Sequence, residues 1–166
     1  MSDTLVNAVL ITWRRNGAYA LRMVERLSAE QFTAQPTPAH AMNHPAWILS
    51  HLNVYAAIAA AMLRRQSFDD PADHPFGPKS EIGSPSAYAP APALIAEYQR
   101  LHDDAEQALA GSGAGTLALT NPLERWRPIN PTVGDMVVTL MIKHESFHLG
   151  QLSAWRRAMG FQRVAM

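Results

Sequence analysis

The stretch that most restricts how this chain can fold is Lys143-His144-Glu145-Ser146-Phe147-His148-Leu149-Gly150-Gln151, which lies inside a long helical pattern. Val137, Leu140, Met141 and Trp155 recur at helical spacing, and His144, His148 and Gln151 fall on the face those apolar residues define. Residues four apart on a helix stand with Cβ atoms about 5–6 Å from one another. One divalent ion can therefore take both imidazoles. Because the shared face points at a core, each imidazole needs a hydrogen-bond partner or a metal, since an unsatisfied buried polar group costs about 1–3 kcal/mol. The chain must pack helices around an interior polar point.

The rest of the sequence supplies the partner helices. Between Thr4 and Leu27, Val6, Leu10, Trp13, Gly17, Ala20, Val24 and Leu27 form one stripe, with Asn16 and Tyr19 at its rim. Ser28 to Gln31 reads as a short extra turn. A second helix is expected from Asn43-His44-Pro45, with Asn43 as cap, to about Arg65. Its inner face reads Trp47, Ile48, His51, Val54, Tyr55, Ile58 and Met62, so His51 stands in an otherwise apolar row. His44 shares that face but lies two turns earlier, roughly 10 Å along the axis, too far to join His51 at one ion. Six of the 12 prolines fall within Ser67–Pro92, marking a long irregular crossover, with a lid over the site as the second reading. His74, inside it, reads as a surface residue. A third helix is expected over Ala93–Ala110 with Gly111 as its C-cap and His102 at its surface or rim. After a loop from Gly111 to Pro131, Thr132 and Asp135 form a capping box that opens the last helix, expected to reach Met159 with Gly160 beyond. In that loop Arg125 and Arg127 flank Trp126, either as an anion site or as an aromatic packed over the end of the helices.

These elements predict an all-α four-helix bundle occupying 1–166 as one domain. With 14 basic and 14 acidic side chains and a formal charge of +0, no basic footprint for nucleic acid or an anionic membrane is present. The apolar run Val6–Trp13 stops at Arg14 and Arg15, too short to span a bilayer, so the expectation is a cytoplasmic protein. Cysteine is absent, which removes disulfides, thiolate metal sites and Cys nucleophiles.

His144-Glu145-x-x-His148 matches the short zinc-protease pattern, but the residues after His148 contain no Asp, Glu or His. Gln151 and Ala154 stand where the longer metzincin pattern needs glycine and histidine. A third ligand must come from upstream, and His51 is the candidate. Three neutral imidazoles with a fourth position open describe a catalytic site, for which zinc and nickel both suit. Glu145 points about 100° away from His144. It reads equally as a base or supporting residue at the pocket edge and as a solvated charge. Gln151 is placed to hydrogen-bond a histidine or a metal-bound water, with Asn16 and Tyr55 as weaker supports. Gly150, costly inside a helix, is expected to admit a neighbouring helix.

Taken together, the helical pattern with its long crossover, His51 in Trp47-Ile48-Leu49-Ser50-His51, and the His144-x-x-x-His148-x-Gly150-Gln151 run resemble the DinB-like superfamily of metal-binding helical bundles. The resemblance implies His51, His144 and His148 as ligands, an up-down-down-up bundle order and a homodimer. It also implies small-molecule chemistry of the kind found in thiol-dependent transferases and isomerases, whose co-substrate is a low-molecular-weight thiol. The leading expectation is a divalent-metal-dependent thiol S-transferase, then a hydrolase, with Glu145 and Gln151 as catalytic candidates. A non-enzymatic metal-binding or ligand-binding stress protein is the alternative. A helical dimer whose histidines are only hydrogen-bonded is the third.

Overall fold

The computed structural model describes residues 3–39 and 41–165; Met1, Ser2, His40 and Met166 of the expected 1–166 domain lie outside the described residues. The architecture is all-helical. Helices α1 (Asp3–Val24), α2 (Pro45–Leu63), α3 (Ala91–Ala110), the short α4 (Ala114–Leu117), α5 (Val133–Val138) and α6 (Glu145–Ala158) follow in order. A π-helical segment, Thr139–His144, joins α5 to α6 without a break. No strand is present among the described residues, where an isolated antiparallel bridge links Thr120 to Thr132.

The caps explain most of the boundaries. Thr132 and Asp135 form the reciprocal capping box at α5, and Gly160, at φ +79, stands just beyond α6. Helix α2 stops where Arg65 turns to φ 57 and Gln66 N–H reaches back to the Ala61 carbonyl. Its N-cap is His44, not Asn43: the His44 ring nitrogen Nδ1 accepts from Trp47 N–H at 3.2 Å. The first helix ends at Val24, three residues short of Leu27, and a 3-10 turn follows at Gln31–Thr33. Gly111 ends α3 with ordinary helical φ, and the expected loop after it carries α4 and a 3-10 turn at Glu124–Trp126.

Helix α3 packs on both α1 and α2, while α6 and the π segment pack on the other sides of α1 and α2. Helix α2 is therefore covered almost all round. It is long and apolar enough to cross a membrane, with mean hydropathy 1.5, yet 83% of that stretch is buried inside the protein. The core divides into two apolar clusters. One gathers Leu10, Trp13, Tyr55, Leu109 and Met141; the other gathers Met23, Ile48, Leu52, Leu94, Leu152 and Trp155. Several buried polar side chains of the helices, Asn16, Asn53, Glu145 and His148, fall at positions between those two clusters, and His51 and His102 stand within two residues of the divide. The helices thus carry a polar waist across an apolar body.

The crossover from α2 to α3 is tied down by two 3-10 turns, Pro71–Asp73 and Pro85–Ala87. Gly77 is needed there for close approach: a Cβ would sit 2.0 Å from the Pro71 carbonyl oxygen. The Arg125 guanidinium pairs with Asp70, fastening the crossover to the segment before α5. Arg127 donates to the Asn121 carbonyl, and half-buried Trp126 packs on the core, so both arginines are committed to structure.

Candidate metal centre

The side chains of His51, from α2, His144, the last residue of the π segment, and His148, from α6, meet at the waist. Their ring centroids form a near-equilateral triangle: 4.9 Å between His51 and His144, 4.5 Å between His51 and His148, and 4.5 Å between His144 and His148. One nitrogen from each lies within 4.8 Å of the other two. Ligands at about 2.0–2.1 Å from a shared tetrahedral ion stand roughly 3.3 Å apart. The His51 and His144 Nε2 atoms, at 3.0 Å, are already near that spacing.

Neighbouring groups orient two of the three rings. His51 Nδ1 lies 2.7 Å from the Phe76 carbonyl oxygen, which can only accept, so the ring proton sits on Nδ1 and the Nε2 lone pair faces the centre. His148 Nδ1 lies 2.8 Å from Gln151 Oε1, which also accepts from Asn43 Nδ2 at 3.0 Å. That leaves His148 Nε2 as a lone pair too. His144 has no partner at its buried Nδ1. Two bare lone pairs cannot rest at 3.0 Å, so either His144 Nε2 holds a proton directed at His51 or both nitrogens face a cation. The donor set fits a borderline divalent ion in the second state.

Electrostatics point the same way. Burial, reinforced by the neighbouring His148, pushes the His51 pKa down to about 4. His144 is driven well below the usual histidine range by burial and by His148 and His51. Burial also lowers His148, against the Gln151 hydrogen bond that raises it. At neutral pH all three imidazoles are uncharged, the form that ligates metal.

Above the triangle is a cleft of about 330 Å³. Trp47, stacked on His51 at 4.7 Å, Tyr55, Trp126 and Phe147 give it an aromatic lining; Asn43, Thr139 and Gln151 supply its amides and hydroxyl. Among the described residues, no Asp, Glu, Lys or Arg side chain lines it. Phe147 is 62% exposed at its mouth.

Glu145 differs from both sequence readings. It is neither at the pocket edge nor solvated: only 2% exposed, it does not line the cleft and turns toward α3, where its carboxylate accepts from the Tyr98 hydroxyl. Burial raises its pKa to about 7 despite that bond. His102 is likewise no surface residue. Its ring stacks on Trp13 at 3.7 Å and fills the space that Gly17 leaves, where a Cβ would come within 2.6 Å. His102 Nε2 stands 3.8 Å from Glu145, and burial pushes its pKa to about 3, so the two do not form an ion pair. Asn16 donates to Ser146 Oγ at 3.2 Å and does not reach the histidines. Nor does Gly150 admit a neighbouring helix: a Cβ there would meet nothing within 4 Å. His74 is exposed, and His44 is buried at the head of α2 against Tyr88.

An all-helical protein with three convergent neutral imidazoles beneath an aromatic cleft defines a class: helical domains able to hold a divalent ion with an open face. The family model of the DinB superfamily matches residues 12–152, from the middle of α1 to the middle of α6, and the chain belongs to that superfamily. No curated protein matches the chain. Membership in this family and the three-histidine cluster are together compatible with metal binding.

Proposed function

We propose that this protein is a divalent-metal-dependent enzyme of the DinB superfamily, with zinc or nickel held by His51, His144 and His148, and that it transfers a low-molecular-weight thiol to a small electrophile. The observation that carries this reading is the convergence of three uncharged imidazoles at the floor of a cleft with no charged lining. A divalent ion held there would supply Lewis acidity toward a thiol, a water or a substrate carbonyl in the cleft.

The chain's own residues sort the branches. Hydrolysis at a metal site draws on a nearby carboxylate as base, and Glu145 faces away from the cleft. A thiol ionises near pH 8.5 unaided and needs no such base. Thiol transfer is therefore favoured over hydrolysis. Trp47, Tyr55 and Trp126 offer apolar faces for the electrophile, while Gln151 and the Phe76 carbonyl hold two of the rings in register. The crossover carbonyl on His51 and Pro78 in the cleft wall support a covering role for the crossover. The same lack of a carboxylate favours the second reading, a non-enzymatic metal-binding or ligand-binding protein.

The wider reading is a single 1–166 domain, an up-down-down-up four-helix bundle supported by the way α1 and α2 each pack on α3 and α6. It includes homodimers in the cytoplasm, where free thiols stay reduced, and neither nucleic-acid nor membrane partners, in keeping with the formal charge of +0.

The test combines metal analysis with turnover. Tag-free protein is expected to carry about one equivalent of zinc or nickel, in keeping with one three-nitrogen site, and to conjugate small aromatic electrophiles with mycothiol or bacillithiol. Metal retained without turnover of any thiol or ester selects the binding protein; no metal at all overturns the enzyme and the metal-binding protein alike.

A further inference from the structure

We propose that Glu145 is a positioning residue: its hydrogen bond from Tyr98 sets the rotation of the helix where the π segment becomes α6, and so aims His144 and His148 at His51. The inference rests on the metal-centre reading above and deepens it.

The starting point is a group whose burial is otherwise unexplained. A carboxylate at 2% exposure is costly to hold unless it is paired. The Tyr98 hydroxyl, itself 2% exposed on α3, bonds it, whereas His102 Nε2 at 3.8 Å is too far to do so. Glu145 directly follows His144 and precedes His148 by three residues, and its carboxylate reaches toward α3 and not into the cleft. Successive residues of a helix are separated by about 100°, so a tether on one face fixes the direction of the face beside it.

A tether matters here because the backbone alone does not settle that direction. Glu145 N–H is shared between the Ile142 carbonyl and the Leu140 carbonyl five residues back, the latter being the wider turn of a π-helix. Such turns are rare, occur as short inserts, and concentrate at functional sites. Relaxation of the insert to regular α-helix would rotate everything downstream, His148 included, relative to Thr139. Both ends of the insert are anchored by side chains: Thr139 Oγ1 lies 2.7 Å from Asn130 Oδ1, and Glu145 meets Tyr98. The second anchor adjoins a ligand.

The experiment compares wild type with Tyr98→Phe, Glu145→Leu and Glu145→Gln. The readouts are zinc affinity by competition with a chromophoric chelator, the visible spectrum of the cobalt(II)-loaded protein, and histidine imidazole nitrogen shifts of the metal-free protein. Y98F and E145L are expected to keep their helical circular dichroism, lose about 10-fold to 100-fold in zinc affinity, as loss of a group supporting a ligand does, and change the cobalt spectrum. E145Q, whose amide oxygen still accepts from Tyr98, is expected to restore both. Where E145L does not fold, the near-isosteric Y98F carries the comparison.

Wild-type zinc affinity, cobalt spectrum and imidazole shifts in Y98F overturn the proposal, as does failure of E145Q to rescue. Wild-type protein that binds neither metal overturns the metal centre. The metal-free imidazole shifts then decide the tether alone, which stands only if the His144 and His148 signals move in Y98F.

Discussion

His51 Nε2 and His144 Nε2 face each other at 3.0 Å across 93 residues of sequence. That spacing is short for two unprotonated nitrogens and natural for two ligands of one ion. Metal should therefore stabilise the fold. At a free zinc concentration 100 times Kd, the gain is about 2.7 kcal/mol, or roughly 5–10 °C in Tm for a chain of this size. Differential scanning fluorimetry with and without chelator reads it, and H148A should abolish the response. An unchanged wild-type Tm would mean that the histidines are only hydrogen-bonded to one another.

Gln151 is the acceptor that holds His148 in its ligating tautomer. Q151A should leave the helix intact and weaken metal binding by about 10-fold to 100-fold. Chelator competition measures the loss; equal affinity would show that Asn43 or solvent replaces the acceptor without consequence.

Glu145 supplies a pH signature. Its folded pKa lies at about 7, above the ordinary glutamate value of 4.5, so the folded state holds its proton more tightly than the unfolded chain does. Any stability linked to that proton is complete below about pH 4.5 and is lost as pH rises through about 7. E145Q removes the titration and keeps the Tyr98 bond. The unfolding free-energy difference, E145Q minus wild type, read from urea denaturation at each pH, should be small at pH 4, grow across that window and be positive at pH 8, amounting to a few kcal/mol at about 1.4 kcal/mol per unit. A pH-independent difference would contradict a carboxyl held neutral by burial.

Two glycines should respond in opposite senses to alanine. At Gly17 the new Cβ meets the His102 ring at 2.6 Å, with Trp13 stacked on that ring, so G17A should cost about 1–3 kcal/mol by overpacking. At Gly150 the Cβ enters open space on the exposed face of α6, and G150A should gain up to about 1 kcal/mol from helix propensity. Urea denaturation of both variants is sufficient to check the signs.

What the amino-acid order determined by itself was everything governed by neighbours within a turn or two. Apolar spacing marked the long helices, proline density marked the crossover, Thr132 and Asp135 marked the capping box, and four-residue spacing put His144 and His148 on one face. These follow from backbone geometry and local hydrogen bonding, which a sequence carries directly. Tertiary structure decided the rest through contacts between residues far apart in the chain. Trp13 buries His102 from 89 residues away, Tyr98 claims Glu145 from 47, and the Phe76 carbonyl sets the His51 tautomer from 25. The π insert belongs to that second group, because a five-residue hydrogen bond within a helix leaves no mark in apolar periodicity. Whether a buried histidine becomes a ligand or a stacked core ring depends on which distant side chain reaches it first.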